Sequence, residues 1–292
     1  MELAGRRCLI TGGAGFVGRA LAEQVRVRDA VVQVLDRPGT GADLEVDLTQ
    51  TAALALAVRA ARPDLVFHLA AVTRIPAGGE AAAWAVNVAG TANLLAALDG
   101  LPAPVVLVSS AEVYGDAPLP YAETASPRPR SAYGISKLAA EQLLTLAADR
   151  GRAAVIVRPT VIYGPGQPPV MLVPELAGRA RRNEALVTTR GEQQRDLLYV
   201  DDAAAGMVAA VRAAGTACPV FNLGGGVTAT VAEIVAELRR LTGHTAAWRR
   251  DLPYRAHEVM AYAVSVTAAA EQLGWRARVD WREGLRRTVA AA

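Results

Sequence analysis

Thr11-Gly12-Gly13-Ala14-Gly15-Phe16-Val17-Gly18 is the stretch whose reading decides the fold. The apolar run Arg7-Cys8-Leu9-Ile10 precedes it and reads as a buried strand. The amphipathic run over 16–27 follows it and reads as a helix. Strand, glycine turn and helix in that order lift the motif above a chance cluster of glycines. Gly12 and Gly15 allow a tight turn whose backbone N–H groups approach a pyrophosphate, and Gly18 lets the helix pack close to the strand. Phe16 and Val17 open that helix, so its positive dipole end faces the phosphates. The competing reading is a glycine-rich turn with no ligand. Against it stands Asp36, which ends the next apolar run, 31–35, about 20 residues beyond the loop. A carboxylate there accepts the adenine ribose hydroxyls, which favours NAD. Arg37 beside it can instead meet a 2′-phosphate, which keeps NADP as the alternative.

Further apolar runs at 64–69, 105–108 and 153–157 alternate with helical runs at 51–61, 81–98 and 131–148. This alternation predicts βαβ units and a doubly wound parallel sheet, the α/β class with a Rossmann-type half. Ligands bind beyond the carboxyl ends of such strands. The glycine loop, Asp36, the Leu69-Ala70-Ala71 run after His68, Ser110 and Arg158 all fall at such ends and converge on one crevice. Asp47-Leu48 follows a Gly-rich turn and is placed to contact the adenine, or equally to be an ordinary loop acid. After Pro165 the rhythm changes. The expected division is an NAD-binding domain over 1–165, to which 196–226 returns, and a smaller mixed α/β substrate domain from 166–195 and 227–292.

The 292 residues are 52% hydrophobic, enough for a sizeable core, and the net charge of +3 is too small and dispersed to argue for nucleic acid. Cys8 and Cys218 sit in separate apolar runs and read as buried thiols. The three histidines show no ligand spacing, so no metal site is expected. No apolar run reaches membrane-spanning length, and the expectation is a cytoplasmic protein with no membrane partner. Of 31 basic side chains only Lys137 is a lysine. A position that stays Lys in an Arg-biased chain points to a need for a compact charge on a flexible stem; the alternative is compositional chance.

Tyr133 and Lys137 are four residues apart on one helix face. An ammonium beside a phenol favours the phenolate and is expected to lower its pKa. A phenolate takes a proton from a sugar hydroxyl while hydride leaves the same carbon. Ser110, at a strand end nearby, is placed to hold that hydroxyl.

With these pieces in place, the chain resembles an extended short-chain dehydrogenase/reductase of the NAD-dependent, nucleotide-sugar epimerase/dehydratase group. The likeness runs end to end: TGGAGFVG, Asp36, Asp47-Leu48, HLAA, Asn87 with Gly90-Thr91, SSAEVYG, YGISK, RPTVIYGPG, RDLLYVDD and LGW at 273–275. It implies a Rossmann domain, a smaller substrate domain and a cleft between them. Ser110, Tyr133 and Lys137 are then the catalytic triad, with NAD against Gly12, Gly15, Phe16, Val17, Gly18, Asp36, Arg37, Asp47, Leu48, Leu69, Ala70, Ala71 and Asn87. Tyr163, Arg195, Arg255 and Glu258 are implied to meet the substrate, the two arginines at its diphosphate. Without the resemblance those arginines read as surface cations. Val161 stands where the family often has a substrate-touching Asn, and Ala111 where many 4,6-dehydratases have Asp. Glu112 remains, either as a base at C5 of a 4-keto sugar or as a plain hydrogen-bonding group. The implied activity is a nucleotide-sugar epimerase or dehydratase working through a transient 4-keto sugar. An NADPH-dependent 4-ketoreductase and a non-catalytic NAD-binding regulator are the alternatives. The helices 81–98 and 131–148 are apolar on more than one face, which asks for a second burial surface. The family's answer, a four-helix bundle between two subunits, implies a homodimer.

Overall fold

The fold is that of a computed structural model, which describes residues 2–75, 78–254 and 258–291. Seven parallel strands form the large sheet: β1 (Arg7–Thr11), β2 (Val31–Asp36), β3 (Leu44–Glu45), β4 (Leu65–His68), β5 (Val105–Val108), β6 (Ala154–Pro159) and, later in the chain, Val220–Leu223. With β7 (Val161–Tyr163), β8 (Leu186–Val187) and β9 (Gln194–Tyr199) intervening, Val220–Leu223 is β10. The order across the sheet is β10-β6-β5-β4-β1-β2-β3. The chain starts at β1, builds to one side, then returns to build the other, so the direction switches between β1 and β4. Side chains alternate along each strand and feed two cores. Cys8 and Ile10 pack with Leu21 and Val25 of the helix Phe16–Arg26 and with Ala203 and Met207 of the helix Val200–Ala210. Leu9 packs on the other face with Leu54, Val58, Leu94 and Leu144. The two cysteines are buried and free.

The predicted helix at 81–98 spans 80–97 and has a π-helical stretch, Trp84–Ala89, in its middle. The helix Ala132–Asp149 opens on Ser131, whose Oγ accepts a hydrogen bond from Gly134 N at 2.9 Å. An N-cap serine satisfies one of the first-turn donors and fixes where the helix begins. That places Tyr133 and Lys137 in its first two turns.

A second sheet carries the smaller lobe. β9 pairs with β7, with β11 (Thr228–Thr230) and, beyond β12 (Trp248–Arg249), with β13 (Ala261–Tyr262). The crossing between sheets comes at Thr160, between β6 and β7. Of 196–226, the helix Val200–Ala210 and β10 lie against and in the large sheet, whereas 196–199 stay in the small one. The lobe has its own core of Leu176, Leu186, Leu197, Ile234, Leu238, Trp281 and Leu285. Asp196 ties the lobes together. It accepts Gly225 N at 2.6 Å, and a Cβ on Gly224 would lie 2.5 Å from its Oδ2, so the turn after β10 must be glycine to come this close. Among the described residues no helix is long and apolar enough to cross a membrane.

Candidate active site

The switch between β1 and β4 opens a crevice at the carboxyl edge of the sheet, where open α/β sheets hold ligands. Gly12 takes φ +72°, and a Cβ there would lie 2.7 Å from Ala70 N. A Cβ on Gly18 would overlap the Gly12 carbonyl oxygen and sit 2.5 Å from Gly13 Cα. The turn closes through Gly15 N donating to Gly12 O at 3.1 Å, and the helix Phe16–Arg26 begins beyond it. Asp36 accepts hydrogen bonds from Ala14 N at 3.1 Å and Arg37 N at 2.8 Å. Its carboxylate is thereby held against the turn, where a 2′-phosphate would be repelled. Arg37 is exposed. Cradle and acid together fit a dinucleotide with free ribose hydroxyls.

Below the turn, Thr11 and His68 face each other across the switch. Thr91 Oγ1 donates to Asn87 O at 2.6 Å, so it can only accept from His68 Nε2–H at 2.9 Å. His68 Nδ1 then accepts from Thr11 Oγ1 at 2.6 Å. Burial first, and then the Lys137 charge, hold this imidazole neutral, with its pKa down at about 3. His68 is a structural brace.

One cleft of about 650 Å³ runs from the glycine turn to the smaller lobe. Gly12, Gly15, Phe16, Val17, Gly18, Leu69 and Ala71 line one end; Ser110, Glu112, Tyr133 and Lys137 line the middle; Arg195 and Glu258 line the far end. Ser110 ends the loop from β5, accepts Glu112 N at 3.1 Å and stands beside the phenols of both Tyr133 and Tyr262, favouring the ionised form of each. The expected lowering of the Tyr133 pKa is not found in the protein alone. Burial, then the charge of Glu112, push it up, and Ser110 offsets only part. Lys137 is 2% exposed, and burial lowers its pKa to about 8 against an opposing pull from Glu141. Spacing says which groups meet; desolvation decides their charge. Glu112 is exposed to the cleft, with Oε2 accepting Ser131 Oγ at 2.7 Å. Arg195 Nη2 donates to Glu258 Oε1 at 2.7 Å and Nη1 to Val259 O at 2.8 Å.

Other expected site residues lie elsewhere. Tyr163 is fully buried in the core of the smaller lobe and donates to Trp281 O at 2.9 Å, so it does not reach the cleft. Asn87 spends its amide on Val72 N and O, at 2.7 and 3.0 Å, and on Ser136 Oγ at 2.9 Å, fastening the loop after β4 to the helix that carries Lys137. Arg158 turns under the cleft and pairs with Glu141. Leu48 packs in the core beneath Gly90, Asp47 holds Thr49, and Ala70 backs the glycine turn. Arg255 lies outside the described residues. Sequence reasoning missed Tyr262, which lines the cleft from β13. A single aromatic between alanines in a two-residue strand carries no periodic signal. It also missed the Ser131 bond to Glu112. Among the described residues no group of three or more His, Cys, Asp or Glu is placed to hold a metal.

The family model described as NAD dependent epimerase/dehydratase family matches residues 8–224. The UDP-N-acetyl-alpha-D-glucosaminuronate decarboxylase of Bacillus cytotoxicus is 29% identical over 312 residues, covering 97% of each chain. The dTDP-glucose 4,6-dehydratase of an Actinoplanes species is 32% identical over 312 residues, again covering 97% of each. Among solved structures, the UDP-glucose 4-epimerase of Thermus thermophilus in complex with NAD superposes with a TM-score of 0.89 at 29% identity, over 98% of both chains. Decarboxylation, dehydration and epimerisation are all represented in these likenesses.

Proposed function

The chain belongs to the NAD-dependent epimerase/dehydratase family, and from that premise we propose that it oxidises the C4 hydroxyl of a nucleotide sugar and works through a 4-keto sugar. The observation that carries this reading is the cleft in which Ser110, Tyr133 and Lys137 stand between the glycine turn and the Arg195–Glu258 pair. Bound against the glycine turn and Asp36, NAD supplies the acceptor for the hydrogen that leaves C4 with its electron pair. Tyr133 takes the hydroxyl proton once its phenol, held neutral by burial in the protein alone, has ionised. Lys137 supports that phenolate with its charge, and Ser110 holds the reacting oxygen. Arg195, released from Glu258, grips the diphosphate, and Glu258 accepts a ribose hydroxyl; Arg255 adds a second cation. The test is a panel of UDP-, dTDP- and GDP-sugars. Reduction of tightly held NAD followed by product is the expected result. Oxidation of NADPH by a 4-keto sugar, with no reaction of the parent sugars, overturns the reading in favour of a ketoreductase.

Glu112 is the base at C5. Ser131 engages only its Oε2, leaving the other oxygen for the cleft, and a 4-ketone acidifies the C5 proton. Ala111 is fully buried and offers no second acid, so Glu112 must itself return the proton if a C6 hydroxyl leaves as water. Turnover in deuterated water is expected to place deuterium at C5. Glu112→Gln should lose about 10²- to 10⁴-fold in turnover while bound NAD is still reduced. Full turnover by Glu112→Gln without solvent deuterium removes the base role and favours plain 4-epimerisation.

Two copies pair along the helices at 80–97 and 132–149. These expose Trp84 at 46%, Ile135 at 43% and Leu146 at 47%, apolar surface that a second copy would cover. Light scattering at micromolar concentration is expected to give a dimer mass, and a monomer rejects this pairing.

A further inference from the structure

A buried ion pair lies directly behind the proposed catalytic lysine. Glu141 is one helical turn beyond Lys137 and 1% exposed. Its carboxylate is taken by both arms of Arg158 from β6, Nε to Oε1 at 2.9 Å and Nη2 to Oε2 at 2.6 Å. Arg158 is itself buried, with its guanidinium 4.7 Å from the centre of the Tyr114 ring and Nη1 making no hydrogen bond. Tyr114 in turn donates to Asn222 Oδ1 of β10 at 2.8 Å. Removing two charges from water is costly, and a well-packed apolar pair is often as stable or more so. The pair therefore asks for a role besides stability, and the charged group that Glu141 meets on the cleft side is Lys137.

We propose that the Glu141–Arg158 pair is a positioning element for the reaction, keeping the Lys137 ammonium charged and in place behind Tyr133. The proposal rests on the C4-oxidation reading above, in which Lys137 must carry its charge. The groups facing Lys137 are His68 from β4, held neutral, and Glu141 from its own helix; Tyr133, one turn earlier on that helix, lines the same cleft. Those facing Glu141 are Arg158 from β6 and the Cys218 thiol ahead of β10, which is pushed up to about 11 by burial first. Tyr114, with Glu123 near it, faces Arg158. Glu141 is thus the acid opposing the loss of charge that burial imposes on Lys137. The double hydrogen bond engages both oxygens of the Glu141 carboxylate and fixes it one turn from Lys137. Because the charged lysine is the working form, turnover is expected to fall as pH rises through its titration, and weakening the pair moves that fall.

The sequence makes the test direct, since Lys137 is the only lysine and ¹³C-lysine labelling gives one side-chain Cε resonance. In full-length protein saturated with NAD, Glu141→Gln is expected to move the Lys137 titration down by about one pH unit or more. The falling limb of kcat against pH should move with it, with KM changed by less than about twofold. Glu141→Asp, which keeps the charge, should restore most of both. If Glu141→Gln does not fold, Arg158→Gln carries the test, since it breaks the pair and adds no second lysine. The fork is lost, the Glu141 carboxylate is no longer held in place beside Lys137, and the titration should again move down. A midpoint unmoved in either folded variant, or a kcat lowered equally at every pH, overturns the proposal. The resonance reads the coupling whether or not a nucleotide sugar turns over, so its failure is distinguishable from failure of the proposed reaction.

Discussion

Lys137→Arg is expected to fold as the parent does and to lose about 10²- to 10⁴-fold in kcat, although no charge is lost. The native ammonium is a compact charge at the end of a flexible stem, buried beside the neutral His68 and lining the same cleft as Tyr133. A guanidinium is planar and wider, and it donates in a fixed fork, so it cannot take the same place behind the phenol. It also never titrates, whereas burial brings Lys137 to about 8. The measurement is kcat against pH, with circular dichroism and Tm confirming the fold. The basic limb assigned to Lys137 should vanish along with the rate. Retention of most activity would make the solitary lysine an accident of an Arg-rich composition.

Gly18→Ala is the second large effect. The added methyl meets the carbonyl oxygen of Gly12 and lies 2.5 Å from Gly13 Cα, and both are backbone atoms of the turn itself. No side chain can swing away, so the turn must move. Overpacking of this kind costs about 1–3 kcal/mol, which corresponds to NAD binding weakened about 5- to 150-fold if the distortion falls on the turn. Calorimetric titration with NAD checks this. Gly215→Ala is the control, because a Cβ there has only Ala213 O nearby, at 3.9 Å. Equal NAD affinity in the two variants would mean that the turn yields without cost.

What could be read from the sequence was the part whose chemistry is local. β1, the glycine turn and the helix Phe16–Arg26 lie within twenty residues, and each glycine has a steric reason visible in the motif. Ser110, Tyr133 and Lys137 were legible because strand ends and helical spacing dictate where they point. The illegible part depends on partners distant in the chain. Tyr163 lies in a motif beside the cleft, yet its hydroxyl binds Trp281 O, 118 residues away, and a Cβ on Gly284 would overlap that hydroxyl. Arg158 ends a strand at the crevice but turns to Glu141, an acid standing among leucines and alanines whose partner no spacing rule identifies. The raised phenol of Tyr133 was misjudged for a related reason. Helical spacing places the ammonium nearby, but the loss of water around the pair exists only in the folded molecule.

Arg195 sits on β9, and β9 passes into the helix Val200–Ala210 with only Tyr199 as the joint. That helix lies against the helix of the glycine turn, through Ala203, Ala204 and Met207 facing Leu21 and Val25. One uninterrupted rod of backbone therefore sets the span between Arg195 and the glycine turn. On the function proposed above, the molecule would work as a caliper with fixed jaws: overall ligand length would be gauged by covalent geometry, and the sugar ring would turn in the gap. Discrimination among sugars would then fall to the few side chains walling that gap, with Glu112, from the turn after β5, and Tyr262, on β13, as the ones to exchange.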